Sequence, residues 1–169
     1  MGVFKFLKNA GQSYIDMQKR NLGAIVDMFD GDDDKEKAEA KQKAEAIRKE
    51  AENMGLGGDY RVVVEGETVK LEGKVPDQET LEKVVLTSGN IDGVAEVDTS
   101  GIETGEASEP SVFYTVKKGD TLSKIAKVYL GNAMKYPDIF EANKPMLKDP
   151  DLIYPGQVLR IPGGKEPSA

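Results

Sequence analysis

The chain of 169 residues contains no cysteine, no histidine and no tryptophan. Without cysteine there is no disulfide framework, no thiol nucleophile and no thiolate metal site. Without histidine there is no Ser–His or Cys–His catalysis and no imidazole ligand for a transition metal. Any chemistry left would rest on carboxylates or lysine. Long apolar runs are also missing, and nothing approaches the roughly 18 residues of a membrane-spanning helix. Near the N-terminus Lys5, Lys8 and Asn9 interrupt the apolar residues, so the core of a secretory signal does not form. Position 6, where myristoylation favours Ser or Thr, is Phe6. The expectation is a cytoplasmic protein with no integral membrane association.

Charge, by contrast, is plentiful. Thirty acidic residues against 23 basic ones leave a formal charge of −7. Such a surface repels a phosphate backbone, so nucleic acid is not an expected partner, whereas cations meet no such barrier. The length suits two small cores or one mid-sized domain.

Residues 1–34 form a first piece. Phe4, Leu7, Gly11, Tyr14 and Met17 or Gln18 recur at helical spacing, which predicts an amphipathic helix over about 3–29. Such a helix can pack on a domain, rest on an anionic membrane surface or dock on a partner. The following Asp30-Gly-Asp-Asp-Asp-Lys-Glu36 starts like a calcium loop, but Lys35 and Lys41 stand where that loop needs glycine and a bidentate glutamate. A solvated linker leading into a helix N-terminus is the better reading.

Residues 35–100 read as helix, strand, strand, helix, strand. Ala40, Ala44, Ile47, Ala51 and Met54 stripe a helix rich in Ala, Lys and Glu, stopped by Gly55-Leu-Gly-Gly58. Tyr60 to Glu65 and Thr68 to Gly73 form a strand pair turning at Gly66-Glu67. Asp77 is the expected N-cap of a second helix with Leu81, Val84, Val85 and Ser88 on its buried face, Gly89 as its C′ residue, and Val94 to Asp98 as a third strand. Residues 101–111 lack apolar periodicity and read as a flexible acidic linker. Residues 112–163 read as strand, helix, helix, strand: Phe113 to Val116, a helix capped near Asp120 with Leu122, Ile125, Ala126 and Tyr129 on one face, a second helix over Tyr136 to Asn143, and a closing strand through Leu159-Arg-Ile-Pro162. Residues 164–169 are a tail. The fold class is α+β, with two small domains behind the N-terminal helix.

Tyr114-Thr-Val, Gly119-Asp-Thr-Leu, Ile125-Ala, Asn143, Pro155-Gly-Gln and Leu159-Arg-Ile-Pro together resemble a LysM domain. That likeness implies binding of N-acetylglucosamine glycans such as peptidoglycan, in a groove formed here by Gly119, Asp120, Thr121 and Leu122 with Asp151 and Ile153. Val69-Lys-Leu-Glu-Gly73, a helix, and Gly89-Asn-Ile-Asp-Gly-Val-Ala-Glu-Val97 resemble a BON domain. Taken over most of its length, from Met1-Gly-Val-Phe-Lys-Phe to Phe140-Glu-Ala-Asn-Lys-Pro, the chain is similar to the bacterial cytoplasmic BON–LysM potassium-binding proteins. It departs from them in the Asp-rich stretch at 30–36 and in a longer interdomain segment.

That resemblance implies a selective K⁺ sensor that becomes compact when loaded, with Rb⁺ and Cs⁺ as substitutes and an unidentified protein as receiver. It further implies that K⁺ is held by the backbone carbonyls of Leu7, Ala10, Gly89, Ile91 and Val94. The physics agrees: K⁺ is selected by several neutral oxygens, whereas clustered carboxylates favour divalent ions. Carbonyls are free at a helix C-terminus, where the dipole is negative, and glycines at 89 and 93 would allow left-handed backbone. The plain alternative for this segment is a helix cap and turn. The rival function is an envelope LysM protein binding peptidoglycan. An enzyme is not expected, since Asp149 and Asp151 lie in a solvated loop in a domain too small for a glycosidase cleft.

Overall fold

The structure, a computed structural model, describes residues 2–6, 33–91, 93–106 and 108–167. Strand β1 is Val3–Lys5, helix α1 is Asp33–Asn53, and strands β2 and β3 are Asp59–Glu65 and Thr68–Asp77. Helix α2 is Gln78–Gly89 and strand β4 is Glu96–Glu106. The C-terminal part holds β5 (Val112–Thr115), α3 (Leu122–Tyr129), a short 3-10 helix (Ala133–Lys135), α4 (Tyr136–Ala142) and β6 (Val158–Ile161). The result is α+β, with one four-stranded and one two-stranded sheet.

The first sheet has the order β1-β4-β3-β2. β2 and β3 are an antiparallel hairpin whose turn is Gly66-Glu67, as the sequence predicts, with Gly66 at φ 58°. β3, α2 and β4 make a parallel crossover unit, in which Val69 faces Val97 and Gly73 faces Ile102. Helices α1 and α2 touch each other and the sheet. Ile47 and Ala51 from α1, Leu71 and Val75 from β3, and Val84 and Val85 from α2 are at most 1% exposed. Burying a Val, Leu or Ile side chain contributes about 1.5–3 kcal/mol. A second core gathers Val116, Leu122, Ile125, Ala126, Ile139, Leu147, Leu159 and Ile161 between β5–β6 and the two C-terminal helices.

Two expectations need correction. Val3–Lys5 is a strand, not the opening of a helix: it pairs antiparallel with β4, placing Phe4 opposite Val97. Phe4 and Phe6 alternate with lysine, and period-two aromatic residues fit a sheet edge that would otherwise be open. The remainder of the expected helix, from Leu7 to the start of α1, lies outside the described residues, as do Asp30 and Asp32. The second correction concerns 101–111, where β4 continues through Glu106 and buries Ile102 to 1% exposure.

Helix α2 is buried around most of its circumference: Leu81, Glu82 and every residue from Val84 to Gly89 are covered. One face meets the sheet. The other meets the C-terminal unit, because β6 packs against α2 and Val158 joins the first core.

Candidate cation site

Asp77 caps α2, its carboxylate accepting from the Thr80 N–H at 2.7 Å. That bond is the main reason the Asp77 carboxyl is held below its ordinary range. At the other end the expected left-handed Gly89 is absent. Gly89 is helical, and Asn90, at φ −83°, is the cap, its N–H donating to the Leu86 carbonyl at 3.0 Å. The left-handed residue is Gly93, at φ 79°. The turn is closed by the Val94 N–H donating to the Ile91 carbonyl at 3.2 Å, which leaves that oxygen a second lone pair.

Gly89 is glycine for a different reason: a Cβ there would lie 2.1 Å from Cζ of Phe6. The Phe6 ring, 9% exposed, occupies the space a side chain would need. Its N–H donates to the Ala95 carbonyl at 2.8 Å, on the far side of the same turn. The chain therefore delivers residue 6 directly onto the loop 89–94. Leu7 and Ala10 lie outside the described residues, so of the five expected carbonyls Gly89, Ile91 and Val94 are brought into one turn.

The main-chain carbonyls of this turn are neutral oxygens. Among the described residues no group of three or more acidic side chains is arranged to hold a metal ion. The Lys43 ammonium lies 3.1 Å from where a Gly93 Cβ would be. The last carbonyls of α2 have no intrahelical partners, and the negative end of its dipole faces the same place.

In the C-terminal unit, Gly119 has φ 85° and makes the turn into α3. The cap expected near Asp120 is the next residue, Thr121, which leaves Asp120 a different role. Its carboxylate accepts from the Tyr114 hydroxyl at 2.6 Å and the Lys117 N–H at 2.8 Å, clamping the turn, while Thr121 caps α3 by accepting from the Lys124 N–H. Burial, and then the bond to Asp120, push the Tyr114 hydroxyl well above its ordinary pKa. Leu122 is buried, and Ile153 packs half-buried on the same core. Asp151 is exposed, its N–H bonded to the Asp149 carboxylate at 2.8 Å. The two segments of the expected glycan groove thus rest on one core.

The contacts joining the two units were not anticipated from sequence. The Asn90 amide donates to the Val158 carbonyl at 3.1 Å and accepts from the Val158 N–H at 3.0 Å. Arg160 Nε donates to Glu82 at 2.8 Å, with the two side chains 7% and 2% exposed. Glu82 also accepts from Gln78 at 3.1 Å and from the Ser111 N–H at 2.8 Å. Arg160 further reaches Glu79 at 3.3 Å, the Ala142 carbonyl and the Ser111 hydroxyl. Phe4 and Phe113 pack with ring centroids 4.9 Å apart and planes tilted by 43°. A small cavity of about 50 Å³, lined by Met54, Leu86, Asn90, Ile91 and Met146 among others, lies beside these contacts. Asparagine after a helix signals a cap in any sequence; only the docked β6 edge reveals its second role.

Residues 114–162 match the LysM domain family. Over 163 residues the chain is 42% identical to the potassium binding protein Kbp of Escherichia coli O6:H1, a match spanning 96% of this chain and 99% of that protein. It is also 38% identical over 112 residues to an uncharacterized protein of Deinococcus radiodurans, spanning 60% of this chain and 44% of the relative. Among the described residues no helix is long and apolar enough to cross a membrane.

Proposed function

The chain belongs to the family of the potassium binding protein Kbp, and from that premise we propose that it binds K⁺ through main-chain oxygens of Gly89, Ile91 and Val94, completed by Leu7 and Ala10. The observation that carries this reading is the seating of Phe6 on Gly89, which delivers the residue preceding Leu7 to the turn. The supporting chemistry is the neutral donor set at a helix C-terminus, suited to a large, weakly hydrated monovalent ion. In this reading the protein is a cytoplasmic binder and sensor, not an enzyme, with the N-terminal unit as a BON domain. Ion binding ties the N-terminal segment to the loop and makes the molecule more compact. Rb⁺ and Cs⁺ substitute for K⁺, and a protein partner reads the shape.

The test is a thermal melt in KCl, RbCl and NaCl at equal ionic strength. A ligand at about 100 times its Kd stabilises the folded state by about 2.7 kcal/mol. K⁺ and Rb⁺ should therefore raise the midpoint by several degrees and Na⁺ should leave it nearly unchanged. Equal midpoints in the three salts would remove the proposal. The LysM match favours one second reading, glycan binding in the groove at Gly119–Leu122 and Asp151–Ile153, for which retention on purified peptidoglycan is the decisive assay.

A further inference from the structure

We propose that Asn90 is the residue through which K⁺ occupancy of the loop is transmitted to the LysM unit, an inference that rests on the K⁺ reading above. Asn90 stands between Gly89 and Ile91, two of the proposed ligands. The Gly89 carbonyl and the Asn90 N–H belong to one planar peptide unit. The Asn90 N–H already holds this unit to the Leu86 carbonyl at 3.0 Å, so an ion on the Gly89 carbonyl would hold from its other edge the plane to which the Asn90 Cα belongs. The side chain ends in the paired bonds to Val158, one donated and one accepted.

The amide takes the place of a neighbouring strand along the outer edge of β6. Asn143 does the same at Arg160, donating to its carbonyl at 2.8 Å and accepting from its N–H at 2.9 Å. The two asparagines differ in origin. Asn143 follows α4 in the LysM unit itself, so its bonds survive any movement between units. Asn90 comes from the ion loop, so its bonds exist only while loop and LysM unit are in register. Both bonds are directional and need both partners, so a rotation of the loop breaks them together.

The effect reaches further along the chain. Val158 follows Gln157, whose N–H donates to the Tyr154 carbonyl and whose side chain accepts from the Tyr154 N–H. Tyr154 adjoins Ile153 in the expected glycan groove. Filling the ion loop would thereby order one wall of that groove.

The experiment is amide hydrogen exchange by NMR on the full chain, in KCl and in NaCl at equal ionic strength. In the wild type, K⁺ should slow exchange of the Val158 amide by about five- to tenfold, the equilibrium worth of one such bond. The Arg160 amide, capped by Asn143, should change much less. In Asn90→Ala, K⁺ should still raise the melting midpoint while Val158 exchange becomes independent of K⁺. Asn90→Asp, which keeps the acceptor for the Val158 N–H and loses the donor to its carbonyl, should retain part of the response. A wild-type melt that responds to K⁺ with an unresponsive Val158 amide overturns the coupling and leaves the K⁺ reading intact. Persistence of K⁺-dependent protection at Val158 in Asn90→Ala overturns it equally. A wild-type melt that ignores K⁺ removes the K⁺ reading, and the coupling with it.

Discussion

Arg160 and Glu82 are attached to different units, and cutting their bond from its two ends should not cost the same. Both side chains are nearly dry, at 7% and 2% exposure. Removing one partner of a buried ion pair leaves the other charge uncompensated, typically at a cost of 3–5 kcal/mol. After Arg160→Met the Glu82 carboxylate keeps bonds from Gln78 and the Ser111 N–H but has no cation, so the full penalty applies. After Glu82→Gln, Arg160 still has the Glu79 carboxylate at 3.3 Å, and Glu79 is 57% exposed and well solvated. The Gln side chain also preserves the oxygen facing Ser111. The expected cost is therefore smaller, about 1–3 kcal/mol.

Urea denaturation followed by circular dichroism measures both. With a slope near 2 kcal/mol/M, Arg160→Met should lower the midpoint by about 1.5–2.5 M, and Glu82→Gln by less. The double variant removes both charges and keeps the Ser111 acceptor, so it should be at least about 1 kcal/mol more stable than the sum of the single effects requires. If Arg160→Met falls within about 0.5 kcal/mol of wild type, or if the two changes add without coupling, the buried pair is not what holds these units together.

Three further outcomes follow from the site. Gly89→Ala drives a methyl into the Phe6 ring and should cost at least about 1–3 kcal/mol in urea; Phe6→Ala in the same chain should recover part of that loss. Asp77→Ala should cost about 1 kcal/mol near neutral pH. Because the Asp77 carboxyl is held below its ordinary range in the fold, its contribution is present above the unfolded value of about 4 and lost as pH falls through the folded one. The gap between wild type and Asp77→Ala in pH-dependent melts should therefore close in acid. Lys43→Met removes a positive charge beside Gly93, and K⁺ titrations should give an affinity about five- to tenfold tighter, since a nearby like charge in a partly solvated site repels by about 1 kcal/mol.

Much of this fold was legible because the relevant signals are local. The helical stripe that includes Ile47 and Ala51, the Gly66-Glu67 turn and the Asp77 cap each follow from residues within one turn or hairpin of one another. What escaped depends on contacts distant in sequence. Gly101 and Gly105 read as linker residues, yet a Cβ on Gly105 would come within 2.5 Å of the Pro76 carbonyl, and one on Gly101 within 3.0 Å of Glu72 Cγ. At Gly105 the neighbouring backbone itself leaves no room for a side chain, whereas at Gly101 the tight neighbour is the Glu72 side chain. Glu82 escaped because an isolated glutamate on a helix normally faces water; its burial requires Arg160, 78 residues later. Val3 to Lys5 escaped because three residues carry too little periodicity to separate strand from helix, and the deciding factor is the open edge of β4. For the cation site, the turn was visible as a helix end followed by Gly93, but the reason for Gly89 lies in a ring delivered from the other end of the chain.

These long-range contacts have a common centre in α2. An amphipathic helix with one apolar face would need only the sheet, yet α2 presents Leu86, Thr87 and Glu82 to a second layer. The LysM unit, for its part, offers a two-stranded sheet whose β6 edge would leave the Val158 N–H and carbonyl facing outward. Each unit thus lacks a closing surface that the other supplies. The means of closure are in part polar, namely an amide pair, an ion pair and a threonine hydroxyl 3.4 Å from the Met146 sulfur, set beside the apolar packing of Val158, Phe113 and Met146 on the first core. Polar partners that separate can be rehydrated, whereas an apolar seam of equal size would resist parting, which is why contacts between units that move tend to be polar. If the turn at the C-terminal end of α2 holds K⁺ as proposed, its Asn90, bonded to β6, places the ion where a modest local change has leverage over whether that seam stays closed.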